Sequence, residues 1–135
     1  MSRYALLYRD EELAAPHGGG SLPLEPVLRS EEVGYEDGAV QLPGPGVYHL
    51  IYQVSFPVAA RVSTVLSLRL GGQTAPGSVC HVDKENPGQP FTAVGQAIVR
   101  LEKPEALTLH SSRGFVITAA AAGDTLASLS VVGIA

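Results

Sequence analysis

The stretch that most constrains the fold is 42–58, with the sequence LPGPGVYHLIYQVSFPV. After a Pro-Gly-Pro-Gly turn at 43–46, the side chains fall into two sets at a period of two, which is the spacing of a β-strand and not of a helix. We therefore predict a long strand with two different faces. One face carries Tyr48, Leu50, Tyr52, Val54, Phe56 and Val58, and the other carries Val47, His49, Ile51, Gln53 and Ser55.

The same pattern recurs along the rest of the chain, in short runs separated by Gly, Pro and polar turns. A short helix is possible at 10–15, and 107–110 and 115–118 are expected to pair around the turn Ser-Ser-Arg-Gly. Turn signals every 8–12 residues without a helical period predict an antiparallel β-sandwich or barrel of nine or ten strands. Besides 42–58, the predicted strands are 3–8, two short ones within 26–42, and 61–70, 78–82, 91–101, 107–110, 115–118 and 125–135.

Length and composition agree with one all-β domain over 1–135. The 135 residues suffice for one hydrophobic core, and the 15 Gly and 10 Pro suit a chain of short strands and turns. We expect 38–135 to form the main sandwich, with 1–37 supplying the first strand and an acidic, loop-rich leader. Met1 and this leader favour a complete natural chain over an excised head.

Charge is sparse and unevenly placed. Charged residues make up 16% of the chain, against roughly 25% in an average soluble domain. Residues 1–37 hold eight acids and three arginines, whereas 38–135 hold only five acids and six bases. So few charges on a small body predict that part of its surface is covered by a partner, and self-association is the simplest case.

The sequence does not support a nucleic-acid partner, a membrane span or a classical signal peptide. The net charge is −4 and no basic stripe is interleaved with aromatic residues, so nucleic acid is excluded as a partner. There is no run of 18 apolar residues and no signal-peptide h-region before the acids at 10–12, so neither a membrane span nor a classical signal peptide is predicted.

Four segments in order resemble one known family. They are Pro45, Gly46 and Tyr48 leading into LIYQVSFPV; the strand and turn LSLRLGGQTAPGS; Thr92, Gly95 and Gln96 before AIVRL; and the closing strand ASLSVVGIA. Over residues 38–135, with 3–8 as a first strand, the chain resembles the C-terminal domain of bacillus collagen-like spore-surface (exosporium) glycoproteins. That domain belongs to the jelly-roll superfamily of tumour necrosis factor and the complement globular head.

The resemblance implies an all-β, antiparallel jelly-roll sandwich of about ten strands whose last strand is central. It also implies a tight homotrimer packed through sheet faces. The expected trimer contact comprises Tyr48, His49, Ile51, Tyr52, Leu129 and Val131, although Tyr48, Tyr52 and Phe56 could instead fill the core. The chain departs from the family at 102–105, where EKPE replaces an acidic Gly-Asp turn, in lacking a collagen-like region, and in its long acidic leader.

The residue types that carry chemistry are scattered. A cupin metal site needs two histidines one residue apart with a nearby Glu, but His17, His49, His81 and His110 are isolated. His49 is the best candidate for a site shared by three protomers; an ordinary surface or interface histidine is the simpler interpretation. Ser111 next to His110, and Cys80 next to His81, would point to opposite sides of a strand, which disfavours nucleophilic catalysis. We predict no cofactor, metal or catalytic residue within one chain.

Two loops offer weaker hypotheses. Asp83, Glu85 and Asn86 could supply oxygen ligands to calcium, but a lysine interrupts them and a solvated turn is the simpler interpretation. The alanine run at 119–122 suits either close packing near a trimer axis or a plain turn of small residues.

The favoured function is a non-enzymatic structural or adhesive trimer that displays loops to a surface protein or glycan ligand. One alternative is the receptor-binding or tip domain of a phage-derived fibre, and another is a cupin-like small-molecule or metal-binding jelly roll. The resemblance implies a spore or cell surface location, while ligand, export route and exact location stay open.

Overall fold

The computed structural model describes residues 2–25, 27–84, 88–119, 121 and 123–135. Within these ranges it contains fourteen strands and no helix, hence no helix of the length and apolarity that a membrane crossing requires. The strands are β1 (Tyr4–Arg9), β2 (Leu13–Ala15), β3 (Gly20–Ser21), β4 (Val27–Arg29), β5 (Gly34–Glu36), β6 (Ala39–Leu42), β7 (Gly46–Phe56), β8 (Val62–Leu70), β9 (Gln73–Thr74), β10 (Cys80–Lys84), β11 (Phe91–Leu101), β12 (Glu105–Ser111), β13 (Phe115–Ile117) and β14 (Ala127–Gly133).

The strands form two main sheets and one small one. The first main sheet has the order β11-β7-β14-β1-β4, and the second has the order β10-β8-β12-β6-β5 with β3 and β9 added to its path. All recorded pairings are antiparallel, and β2 pairs with β13 in the small sheet. The predicted antiparallel jelly-roll sandwich is confirmed, with ten strands on the two main paths and four short additions.

Strand β7 positions the core as its alternation predicts. Five alternate side chains of β7 are enclosed between the sheets: Tyr48, Leu50, Tyr52, Val54 and Phe56. Val58 was predicted on the same face, but it lies beyond the end of β7 and is 49% exposed. From the second sheet, β8 contributes Leu66 and Leu68 to the same core. Burying each large apolar side chain contributes about 1.5–3 kcal/mol, so β7 is a main source of stability.

The closing strand β14 lies in the middle of the first sheet, between β7 and β1. Leu129 and Val131 point inward and are fully buried. The expectation that the last strand is central is confirmed. The Tyr48 hydroxyl fastens the start of β7 by donating to the Pro43 carbonyl, and Arg3 Nη1 donates to the Tyr48 oxygen at 3.1 Å.

The acidic leader is anchored in the same core. Leu13, Leu22, Leu24 and Val33 are each no more than 1% exposed and belong to one cluster with the body of the sandwich. The possible helix at 10–15 is wrong, because Leu13–Ala15 is a strand whose apolar residues alternate between buried and exposed. That strand gains its hydrogen bonds from β13 and not from local helical turns.

The predicted pairing of 107–110 with 115–118 is also wrong. Strand β12 pairs with β8, β6 and β3, whereas β13 pairs with β2. The turn between them is fastened to β8, since Ser112 N donates to Val65 O at 2.9 Å and Arg113 N donates to Thr64 Oγ1 at 3.1 Å. The turn after β12 is therefore held beside β8, and the next strand, β13, pairs with β2 and not with β12.

Candidate assembly face

The outward surface of the five-stranded sheet, which we call the front face, is built from rows of residues in register across the strands. Paired residues of antiparallel strands project to the same side, so each row crosses the sheet. One row contains Ile98, His49, Val132 and Tyr4; the next contains Gln96, Ile51, Ser130, Leu6 and Leu28; a third contains Val94, Gln53, Ser128 and Tyr8.

The front face is apolar and nearly uncharged. Ile98 is 68% exposed, Leu28 is 60% exposed and Val94 is 56% exposed, and Ile51 is exposed on the inner strand β7. Arg100 is the one charged side chain at the outward positions of these five strands, counted over the described residues. Large exposed apolar side chains gathered on one nearly uncharged sheet face indicate an interaction surface.

The structure separates the six predicted contact residues into two groups. His49 and Ile51 lie on the front face, where contact with a neighbouring chain is possible. The prediction is wrong for the other four, because their side chains have no accessible surface within one protomer and so cannot meet another: Tyr48, Tyr52, Leu129 and Val131. The alternative, in which Tyr48, Tyr52 and Phe56 fill the sandwich core, is confirmed.

Sequence reasoning missed most of the front face. The exposed apolar residues that it did not select are Tyr4, Leu6, Leu28, Val94, Ile98 and Val132. A signal for two of them exists in β11, where inward Ala93, Gly95 and Ala97 alternate with larger outward Val94 and Ile98. Small residues inside and large apolar residues outside indicate a strand whose outward side is also covered.

The front face contains a groove of about 440 Å³ near the end where β1 finishes. Leu6, Tyr8 and Leu126 give it apolar walls, and Gln53, Ser55 and Ser128 add neutral polar groups. None of the lining residues is charged. The groove is therefore an uncharged depression in the front face.

The outward surface of the second sheet, which we call the back face, differs in character. Its register places Ser63 with Asp83, Arg69 with Thr108, and Ser67 with His110. These positions are polar or titratable, and they lack the large exposed apolar side chains that the front face carries. The polar back face is suited to contact with water.

The histidines do not assemble into a metal site in the parts of the chain that the structure describes. No group of three His, Cys, Asp or Glu side chains lies close enough there to hold a metal ion. His49 Nε2 lies 3.4 Å from Gln96 Oε1 on the front face, while His110 and His81 lie on the back face. The cupin-like alternative thus has no ligand set among the described residues.

The two candidate nucleophiles are engaged elsewhere. Ser111 is buried, bonds to Thr64 Oγ1 at 2.7 Å and donates to Arg113 O at 2.7 Å. His110 points to the other side of β12, as the alternation predicts. Cys80 is half-buried, and its thiol lies 3.9 Å from the His81 backbone oxygen and not against the imidazole. Neither pair has the geometry of a nucleophile and its base.

Two hypotheses from the sequence fall partly outside the described residues. Glu85 and Asn86 of the possible calcium loop are not described, and neither are Ala120 and Ala122 of the alanine run. Both hypotheses stay predictions.

No protein-family model and no curated protein matches the chain. Solved structures do match: crystal structures of murine APRIL at pH 8.0, pH 8.5 and pH 5.0 have TM-scores of 0.69, 0.68 and 0.67. The identities are 16%, 16% and 14%, and each match covers 99% of this chain and 100% of the APRIL chain. The chain therefore has the tumour necrosis factor-like jelly-roll fold, and the narrower resemblance to spore-surface glycoproteins stays a prediction.

Proposed function

We propose that this protein is a non-enzymatic head domain that assembles as a homotrimer through its front face. The observation that supports this most directly is the set of large exposed apolar side chains on that nearly uncharged face, with Ile51 on an inner strand and Ile98 most exposed. Removing such surface from water is favourable by about 25 cal/mol for each Å² buried. Self-association would remove the front face from water without requiring a second kind of chain.

Three subunits are favoured by the fold. The tumour necrosis factor-like jelly roll is the architecture for which the sequence resemblance implies tight trimers packed through sheet faces. The front face suits that role, because its strands are in regular register and its outward positions are nearly uncharged. The polar back face would then point to solvent and remain accessible to a partner.

The more specific proposal is a structural or adhesive head on a spore or cell surface, with a surface protein or glycan as its ligand. Its support is the ordered resemblance of Pro45, Gly46, Tyr48, Gly95 and Gln96 to the spore-surface glycoproteins. Antibody labelling of intact spores or cells of the source organism tests the location. Labelling of the intact surface is expected, whereas labelling that appears only after lysis would contradict it.

Assembly is tested by placing a charge on the front face. Ile51→Asp puts a carboxylate on an inner strand of the front face, so burial in a trimer would require its desolvation. We expect this variant to elute as a smaller species than the unmodified protein in size-exclusion chromatography at micromolar concentration. The matched control is Val116→Asp, because Val116 is also an exposed strand residue, 62% accessible, but lies on the small sheet.

Both variants must retain the fold for the comparison to hold, so each is checked by circular dichroism and thermal unfolding. The proposal predicts that Val116→Asp assembles like the unmodified protein. An Ile51→Asp protein that is folded and assembles unchanged would overturn the role of the front face.

A further inference from the structure

The back face carries a pair of basic side chains on neighbouring strands. Arg69 of β8 lies opposite Thr108 of β12, and His110 of β12 lies opposite Ser67 of β8. Arg69 and His110 are therefore diagonal neighbours on one side of the sheet, a relation that long side chains can span. Both residues are half-buried.

Arg69 has no protein partner among the described residues. Its Nε is fully buried with no hydrogen-bond acceptor in reach. The ion pairs within those residues are Arg3 with Glu32 and Arg9 with Glu11, so they do not include Arg69. A guanidinium that forms no ion pair among these residues keeps its outer N–H donors for an acceptor from outside, whereas the buried Nε is out of reach of such an acceptor.

The surroundings of the pair are rich in hydroxyl groups, and no acid among the described residues forms an ion pair with Arg69, although the Glu105 carboxylate lies against Gly71, two residues beyond it. Thr108 lies opposite Arg69 and two residues before His110 on β12, Thr74 of β9 pairs with Arg69, and Ser21 of β3 pairs with His110. The outward acids of this sheet are Glu36 on β5 and Asp83 on β10. Strand spacing separates the Cα atoms of Glu36 and Arg69 by roughly 14 Å, and those of Asp83 and His110 by roughly 16 Å.

The positive charge of Arg69 is felt by its neighbour. The pKa of His110 is lowered from its ordinary value, mainly by burial and secondarily by the Arg69 charge. The neutral imidazole is thus favoured, so Arg69 is the fixed positive charge of the pair and His110 becomes cationic only as the pH falls.

We propose that Arg69 and His110 form a binding site for a single oxyanion group, either a phosphate, a sulfate or a carboxylate, on the back face. The planar guanidinium would hold two oxygens through paired N–H donors, which is the geometry that arginine offers to such groups. The His110 ring and the Thr108 hydroxyl would supply further donors. The site is independent of trimer assembly, because it lies on the opposite sheet.

Solution NMR tests this site directly. Inorganic phosphate is titrated into the full chain, with sodium chloride at matched ionic strength as the blank. The Arg69 Nε–Hε signal and the His110 ring signals are expected to move saturably with phosphate, with a dissociation constant on the order of millimolar for a few charge-assisted hydrogen bonds. Chloride alone should not move them.

The variant Arg69→Gln separates binding from general ionic effects. Phosphate affinity should fall by about tenfold or more, and the His110 pKa should rise because the neighbouring positive charge is gone. Arg61→Gln is the matched control, since Arg61 is an exposed arginine that directly precedes β8. It should leave both the affinity and the His110 pKa unchanged.

His110→Gln keeps the test decisive if Arg69→Gln fails to fold. An anion favours the protonated imidazole, so binding should strengthen as the pH falls through the His110 pKa. A rise of one unit in that pKa corresponds to a tenfold gain in affinity. Sulfate serves for this pH series because its own charge stays constant, and His110→Gln should remove the pH dependence while Arg69 still responds.

Titration with acetate shows whether the bound oxyanion can be a carboxylate or must be tetrahedral. Binding of acetate as well as phosphate supports a site that accepts carboxylates of peptides or acidic sugars, and binding of phosphate and sulfate alone supports a tetrahedral ligand. The proposal is overturned if phosphate moves neither residue saturably, or if Arg69→Gln binds phosphate as well as the unmodified protein.

Discussion

The aromatic ring of Tyr52 occupies the space that a side chain on Gly95 would need. The two residues are directly opposite each other on β7 and β11, and a Cβ on Gly95 would lie 2.5 Å from Tyr52 Cζ. The Tyr52 hydroxyl donates to Ser78 O at 2.5 Å and lies 3.3 Å from Leu66 O of β8. The ring therefore packs over Gly95, where no side chain is in the way, and its hydroxyl reaches the second sheet.

Gly95→Ala is expected to destabilise the fold, because a methyl group would force the enclosed Tyr52 ring to move. Overpacking of this kind costs about 1–3 kcal/mol. Chemical denaturation measures the change, and Thr92→Ala on the same strand is the control because Thr92 is exposed. If Gly95→Ala were as stable as Thr92→Ala, the ring would not be fixed against β11.

Tyr52→Phe keeps the ring and removes the hydroxyl. The Ser78 carbonyl would lose its donor inside the core, which we expect to lower the free energy of unfolding by about 1–2 kcal/mol. Denaturant titration of the purified variant measures this difference. An unchanged midpoint would show that the hydroxyl does not tie the sheets together.

Stability should also fall at alkaline pH. The pKa of Tyr52 is raised above its ordinary 10.0, mainly by burial and secondarily by the charge of Cys80. The neutral phenol is thus favoured in the folded state, and its contribution is complete below pH 10 and is lost progressively as the pH rises from there towards the folded-state pKa. Tyr35, whose pKa is also raised by burial and by Glu25, adds to this loss.

Thermal unfolding between pH 9 and 11 tests the alkaline prediction. The difference in stability between the unmodified protein and Tyr52→Phe should narrow as the pH rises above about 10. A constant difference over that range would mean that Tyr52 ionises at its ordinary pKa.

Lys84 is a buried cation held by backbone oxygens. Its Nζ donates to Val58 O at 2.9 Å and to Ala60 O at 2.6 Å, which fastens the connection between β7 and β8. Lys84→Met would leave two carbonyls without their donor, and we expect a loss of about 1–2 kcal/mol. Lys103→Met is the control, since Lys103 is exposed. A more stable Lys84→Met protein would show that desolvation of the ammonium outweighs its two hydrogen bonds.

Alternation within a strand predicted the fold class because it depends only on neighbouring residues. The two faces of β7 were assigned correctly from Tyr48 to Phe56 without knowledge of its partners. Pairing depends on residues far apart in the chain, so the partnership of β13 with β2 had no local signal. The hydrogen bonds of Ser112 and Arg113 hold the turn after β12 against β8, a contact that alternation within a strand does not predict.

The candidate site was harder to predict than the fold. Leu129 and Val131 are apolar residues of a central strand, and the sequence alone does not say whether such residues fill the core or meet another chain. The structure places them inside and shows Ile98 and Val132 outside. The small number of charges in 38–135 predicted a covered surface, but its location required the register of β11, β7, β14 and β1.

The central claim is that the front faces of three chains meet in solution. Sedimentation equilibrium of the unmodified protein at micromolar concentration measures the assembled mass without reference to shape. The chain mass is 14.1 kDa, so the trimer predicts three times that value, about 42 kDa. A mass of 14.1 kDa at that concentration would contradict the account.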